Sequence, residues 1–264
     1  MKWNVGILVL ISGLSGCEQL FPDCWDHLSR LNDEHYLLLD NRQDFSADQL
    51  EKIRSSMASN VRKCSSDAPF AKDLSSVAVG IESYYTLIDF AIMANDDELV
   101  AALFEKQTQD PSLRYPEEKL TLGSEYLLNA AFSESDNVVR WLMNQGFDPN
   151  QTNDMGAAAL HFSGARTDGG LRVARDLVAQ GADIEMRAGN GVTPLILAWR
   201  QNGDLRKVQC LISLGAQIPS ASEIPDIWPD ILVPEADVDL VTAFLDSSDK
   251  TVPESISRIC SNGR

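Results

Sequence analysis

Between Gly123 and Pro219 the apolar positions come in short helical bursts that return about every 35 residues. Gly156 and Gly191 are 35 apart, as are Leu160 and Leu195, and the glycines Gly146, Gly181 and Gly215 follow one another at 35 and then 34. Each of those three glycines comes four residues after an apolar anchor, Leu142, Leu177 or Leu211. The pattern predicts two short antiparallel helices per unit, a turn before the first and a glycine-closed loop after the second. One such pair cannot bury its apolar face alone, so the units must stack into a continuous core, giving an all-α solenoid.

The cleanest copy reads G-N-G-V-T-P-L-I-L-A-W-R-Q-N-G-D-L-R-K-V-Q-C-L-I-S-L-G-A-Q-I, from Gly189 to Ile218. It resembles the ankyrin repeat, with its G-x-T-P-L-H-x-A turn and helix, second apolar helix and G-A-D loop. A weaker copy starts at Thr86-Leu87-Ile88-Asp89-Phe90-Ala91, with Leu99, Val100 and Leu103 spaced after Ala91 as Val138, Val139 and Leu142 are after Ala130. Its closing glycine is replaced by the polar stretch 107–116, read as a surface insertion. The Gly156 copy has A-A-A where T-P-L would begin and two extra residues between its helices; the Gly189 copy has one.

Outside the repeats, Ser46 and Gln49 form a capping-box pattern before a helix whose face carries Leu50, Ile53, Met57, Val61 and Cys64. After Pro219, Pro225, Pro229 and Pro234 forbid a continuous helix, and Asp237 to Leu245 restores one as a C-terminal cap. The expected organisation is a leader at 1–16, an N-terminal helical region at 17–83, repeats at 84–219 and a cap at 220–264.

The leader has Lys2, an apolar run from Val5 to Ile11, then L-S-G-C ending at Cys17. This resembles a bacterial lipoprotein signal, which implies cleavage before Cys17 and acylation of that residue. The run is shorter than the ~20 residues of a spanning helix. Glu18, where an aspartate would resemble an inner-membrane retention signal, directs the expectation to the outer membrane, lipid-anchored and facing the periplasm.

The net charge of −17 and the absence of any lysine or arginine run argue against nucleic acid. Acidity also keeps the body off an anionic bilayer, so the lipid must hold it there. It either favours a basic protein partner or simply keeps an exported repeat protein soluble. With Cys17 lipidated, four cysteines remain, and the pairings Cys24–Cys64 and Cys210–Cys260 would each close a local unit at one end of the array; a buried free thiol at Cys210 is the alternative.

No catalytic motif, metal-ligand spacing or cofactor-binding pattern occurs, and His27, His35 and His161 fit no metal-binding motif. His161 stands where the ankyrin pattern places a histidine that bonds backbone between repeats. The resemblance implies a non-enzymatic protein binder, monomeric when free, working through turn tips and the exposed ends of first helices. Those positions are Asp154, Met155 and Arg166 in one copy and Asn190, Arg200 and Gln201 in the next, with Thr152 and Arg187 at the preceding loop ends. Glu82, Ser83, Tyr85, Met93 and Phe132 continue the strip, while Arg175 and Lys207 on second helices should face away. By analogy with similarly tethered proteins the expected role is immunity against an envelope-targeting toxin such as a phospholipase. A helper of a periplasmic oxidative-stress enzyme such as catalase and an envelope adaptor are the alternatives.

Overall fold

In the computed structural model the described residues are Arg30, 46–64, 87–109, 122–189, 191–200, 204–219 and 235–261. Every named element among them is a helix: α1 (Ala47–Cys64), α2 (Leu87–Met93), α3 (Asp97–Gln109), α4 (Leu122–Phe132), α5 (Asp136–Asn144), α6 (Ala159–Phe162), α7 (Asp168–Ala179), α8 (Pro194–Arg200), α9 (Leu205–Leu214), α10 (Glu235–Asp246) and α11 (Glu254–Cys260). Helices α2 to α9 form four antiparallel pairs. First helices pack in the order α2, α4, α6, α8, and second helices in the order α3, α5, α7, α9. The core runs unbroken through the stack because each pair offers apolar side chains to the next: Ala91, Ala130, Leu160 and Ala198 from first helices, Val100, Leu142, Leu177 and Leu211 from second helices, all nearly or fully buried. Each large aliphatic among them contributes roughly 1.5–3 kcal/mol by leaving water.

The three loop glycines explain the period. Gly146, Gly181 and Gly215 all have positive φ, between 88° and 109°. In each case the glycine amide donates to the carbonyl three residues back, and the next amide donates to the carbonyl five back, on Leu142, Leu177 or Leu211. This is the Schellman closure, which satisfies the last carbonyls of a helix and disfavours any residue with a Cβ at the turn. Two lateral links repeat with it. Asn150 accepts from the Asp183 amide at 2.7 Å, and Glu185 accepts from the Gln217 amide at 2.7 Å, each one repeat further along.

The two ends are held differently. Helix α1 starts with a reciprocal cap, the Ser46 amide to Gln49 Oε1 at 2.9 Å and the Gln49 amide to Ser46 Oγ at 3.3 Å. It packs Met57, Val61 and Cys64 against α2. Arg62 pairs with Asp96, and Arg54 donates to the Ser133 carbonyl at 2.7 Å. These arginines are eight residues apart, about 12 Å along a helix, and so reach the helix–helix turns of two successive repeats. Cys64 is disulfide-bonded, and Cys24 lies outside the described residues.

At the other end α10 packs on α8 and α9, tied by Trp199 Nε1 to Thr242 Oγ1 at 2.8 Å. Helix α11 was not legible in the sequence. It folds back across the outer faces of α7 and α9, bonded by the Cys210–Cys260 disulfide. Closing that 50-residue loop is worth about 4 kcal/mol on chain-entropy grounds.

A candidate partner-binding surface along the finger edge

The segments before α6 and α8 fold as projecting fingers of the same shape. In the first, the Asn153 amide donates to the Ala157 carbonyl at 3.1 Å, the Gly156 amide returns to the Asn153 carbonyl at 2.8 Å, and Thr152 bridges Ala158. The second repeats this one period on, with Ala188 donating to Val192 at 2.9 Å and Gly191 to Ala188 at 2.8 Å. Asn153 Oδ1 accepts from the Met155 and Ala157 amides, so the first tip is stiffened by its own side chain. Adjacent tips are bonded directly, the Gly189 amide to the Met155 carbonyl at 2.8 Å. Gly156 has φ +71° and a Cβ there would lie 2.8 Å from the Gly189 nitrogen, so neither backbone nor neighbour tolerates a side chain.

His161 supports the fingers from beneath. Its Nδ1 accepts from the Ala158 amide at 3.2 Å, which leaves the proton on Nε2 to donate to the Val192 carbonyl at 3.1 Å in the next finger. Burial pulls its pKa down and keeps the ring neutral.

On this edge Thr152, Asp154, Met155 and Arg187 lie exposed, and Met155, 49% exposed, is the most open of the large apolar side chains among the described residues. Arg187 folds onto its own finger, donating to the Gly191 carbonyl at 3.1 Å. Asp148, Asp154 and Asp183 have no ion-pair partner among the described residues. Arginines are instead paired at the far edge: Arg172 with Asp136 at 2.7 Å and Arg206 with Asp168 at 2.6 Å, beside the Arg62–Asp96 pair. Burial opposes ionisation of Asp136, but its bond to Arg172 and the nearby charge hold its pKa below the usual value.

Four expected surface positions require comment. Met93 is only 4% exposed, because the last turn of α2 points it into the core, and it is not available to a partner. Arg166 is exposed but stands in the turn between α6 and α7, where its Nε lies 3.3 Å from Glu134 Oε1. It belongs to the link between repeats rather than to the fingers. Phe132 is exposed at the end of α4 remote from the finger edge. Arg200 is the last residue of α8. Glu82, Ser83, Tyr85, Asn190 and Gln201 lie outside the described residues, as do Cys17, His27 and His35.

Of the two second-helix residues expected to face away, Lys207 does not: it turns inward between repeats, where a buried carbonyl receives its charge. Lys207 is 1% exposed and donates from Nζ to the His161 carbonyl at 2.8 Å; burial lowers its pKa to about 8 against the attraction of Asp204 and Glu134. Arg175 reaches under α11 to the Ile259 carbonyl at 3.3 Å.

Sequence reasoning also missed Glu134. Its carboxylate, 2% exposed, accepts from the amides of Arg166 and Thr167 at 3.1 and 3.0 Å and from Thr167 Oγ1 at 2.5 Å, all in the following repeat. Asn95 does the same one repeat earlier, accepting from the Asn137 amide at 2.9 Å. Both residues sit in matching turns with positive φ, 56° and 58°, and that shared place was the available signal.

Stacked helix pairs with bonded fingers define a repeat protein of the binding-scaffold type. The family described as Ankyrin repeats (3 copies) matches residues 127–222, the second to fourth pairs. The chain is also similar to Protein phosphatase 1 regulatory subunit 27 of Mus musculus, 32% identical over 139 residues, which cover 53% of this chain and 84% of that protein. The chain belongs to the ankyrin-repeat family, and with that family it shares the role of a protein-binding scaffold.

Proposed function

We propose that this chain is a non-catalytic binder anchored by a lipid on Cys17 to the periplasmic face of the outer membrane, where it neutralises an envelope-targeting toxin such as a phospholipase. The observation that carries the binding mode is the finger edge. Helix α1 reaches the first two helix–helix turns and α11 lies over α7 and α9, while on the finger edge Met155 and three aspartates without an ion-pair partner among the described residues stay open. An apolar anchor in an acidic field suits a basic partner with an apolar contact at its centre. The similarity to a regulatory subunit agrees with action through another protein. The leader L-S-G-C supports the tether, and the disulfides accord with an oxidising compartment.

The test is contact-dependent competition between parent cells and cells lacking the gene. The deletion strain should lose by at least tenfold and be rescued by the wild-type chain but not by Met155→Arg. Equal survival of deletion and parent strains would remove the immunity reading.

A further inference from the structure

We infer that α11 is an oxidation-dependent strap, folded onto the array only while Cys210 and Cys260 are joined. The helix has seven residues, far too few to hold together in water without packing. It lies along both α7 and α9, but its apolar hold there is two buried positions one turn apart, Ile256 and Cys260, with Val252 and Ile259 partly covered. A further link, from Arg175 to the Ile259 carbonyl, is part-buried. The surface beneath is different in kind. Helices α7 and α9 each pack on neighbours within the stack as well as under α11, and their Leu171, Leu177, Val208 and Leu211 are all fully buried.

Both sulfurs are buried, so exchange requires the chain end to fray first. An external dithiol then attacks one Sγ as thiolate and expels the other. Its second thiol resolves the mixed disulfide, leaving two protein thiols and one oxidised dithiol. The strap then has no covalent hold, and an apolar strip on α7 and α9 opens. The chain therefore carries its outer face bare in a reducing compartment and covered in an oxidising one.

Hydrogen exchange on the full-length protein, oxidised or treated with dithiothreitol, tests this, together with the double variant Cys210→Ala, Cys260→Ala, which keeps an apolar contact. The expected result is a loss of protection in α11 by about 100-fold or more in both, with α6 to α9 changing less than about threefold. If α11 keeps its protection in both, packing alone holds the strap and the inference fails. It fails equally if α6 to α9 lose protection together with α11, because the disulfide would then be a staple of the whole array.

Discussion

Replacing Glu134 by glutamine removes one negative charge from a carboxylate that three donors of the next repeat surround. The amide is nearly isosteric, and the strained φ of 56° is common to both residues, so backbone cost cancels. What changes is the acceptor set. A carboxylate accepts at both oxygens, whereas the glutamine NH2 must point at either the Arg166 amide or the Thr167 pair and oppose a buried N–H there. Hydrogen bonds to a charged group are worth about 1.5–3 kcal/mol each, and an unsatisfied buried donor costs about 1–3 kcal/mol. Non-additivity within one cluster brings the expected loss to about 3 kcal/mol. Urea unfolding followed by circular dichroism should show a lower midpoint with unchanged slope. A double-mutant cycle with Thr167→Ala should return a coupling of about 1 kcal/mol or more. A loss below about 0.5 kcal/mol would refute the reasoning and make Glu134 a bystander in the turn.

Other consequences are equally direct. Gly156→Ala should cost about 1–3 kcal/mol, more than Gly146→Ala, because both have positive φ but only the first brings a Cβ against a neighbouring backbone; equal costs would deny the tip-to-tip approach. Lys207 has a folded pKa of about 8, below the ordinary ~10.4 of the unfolded chain. Between those values the unfolded chain binds more protons, so stability should rise with pH across that window. Lys207→Met should abolish this increment, and identical slopes in both proteins would contradict it. Cys17→Ser should eliminate labelling by a fatty-acid probe, and undiminished labelling would disprove the anchor.

The stack was legible because its cause is periodic. Glycines needed at positive φ and leucines needed in the core recur at the same interval, and stacked helix pairs satisfy both. The first pair, α2 and α3, was readable from apolar spacing despite its missing glycine loop, since burial outlasts turn chemistry when a repeat drifts. Single solutions were not legible. Lys207 lies where polar residues normally face water, and only the third dimension supplies the His161 carbonyl that receives it. Glu134 and Asn95 look like ordinary turn residues until the next repeat is placed against them. Helix α11 carries helical spacing in Val252, Ile256, Ile259 and Cys260, but over a stretch too short to stand out, and its location involves a bond between residues 50 apart. Of the expected strip, Thr152, Asp154, Met155 and Arg187 lie on the finger edge, whereas Arg166 stands in a helix–helix turn, Phe132 at the other end of α4 and Met93 in the core, because the end of a seven-residue helix can turn either way.

The central claim is that a protein partner is held on the finger edge. A photo-activatable residue in place of Met155, with a control in place of Ser255 on the exposed side of α11, tests it in intact cells. The account predicts one discrete adduct from position 155, weakened at least tenfold by Asp154→Lys, and none from position 255. A discrete adduct from position 255 with none from position 155 would contradict it.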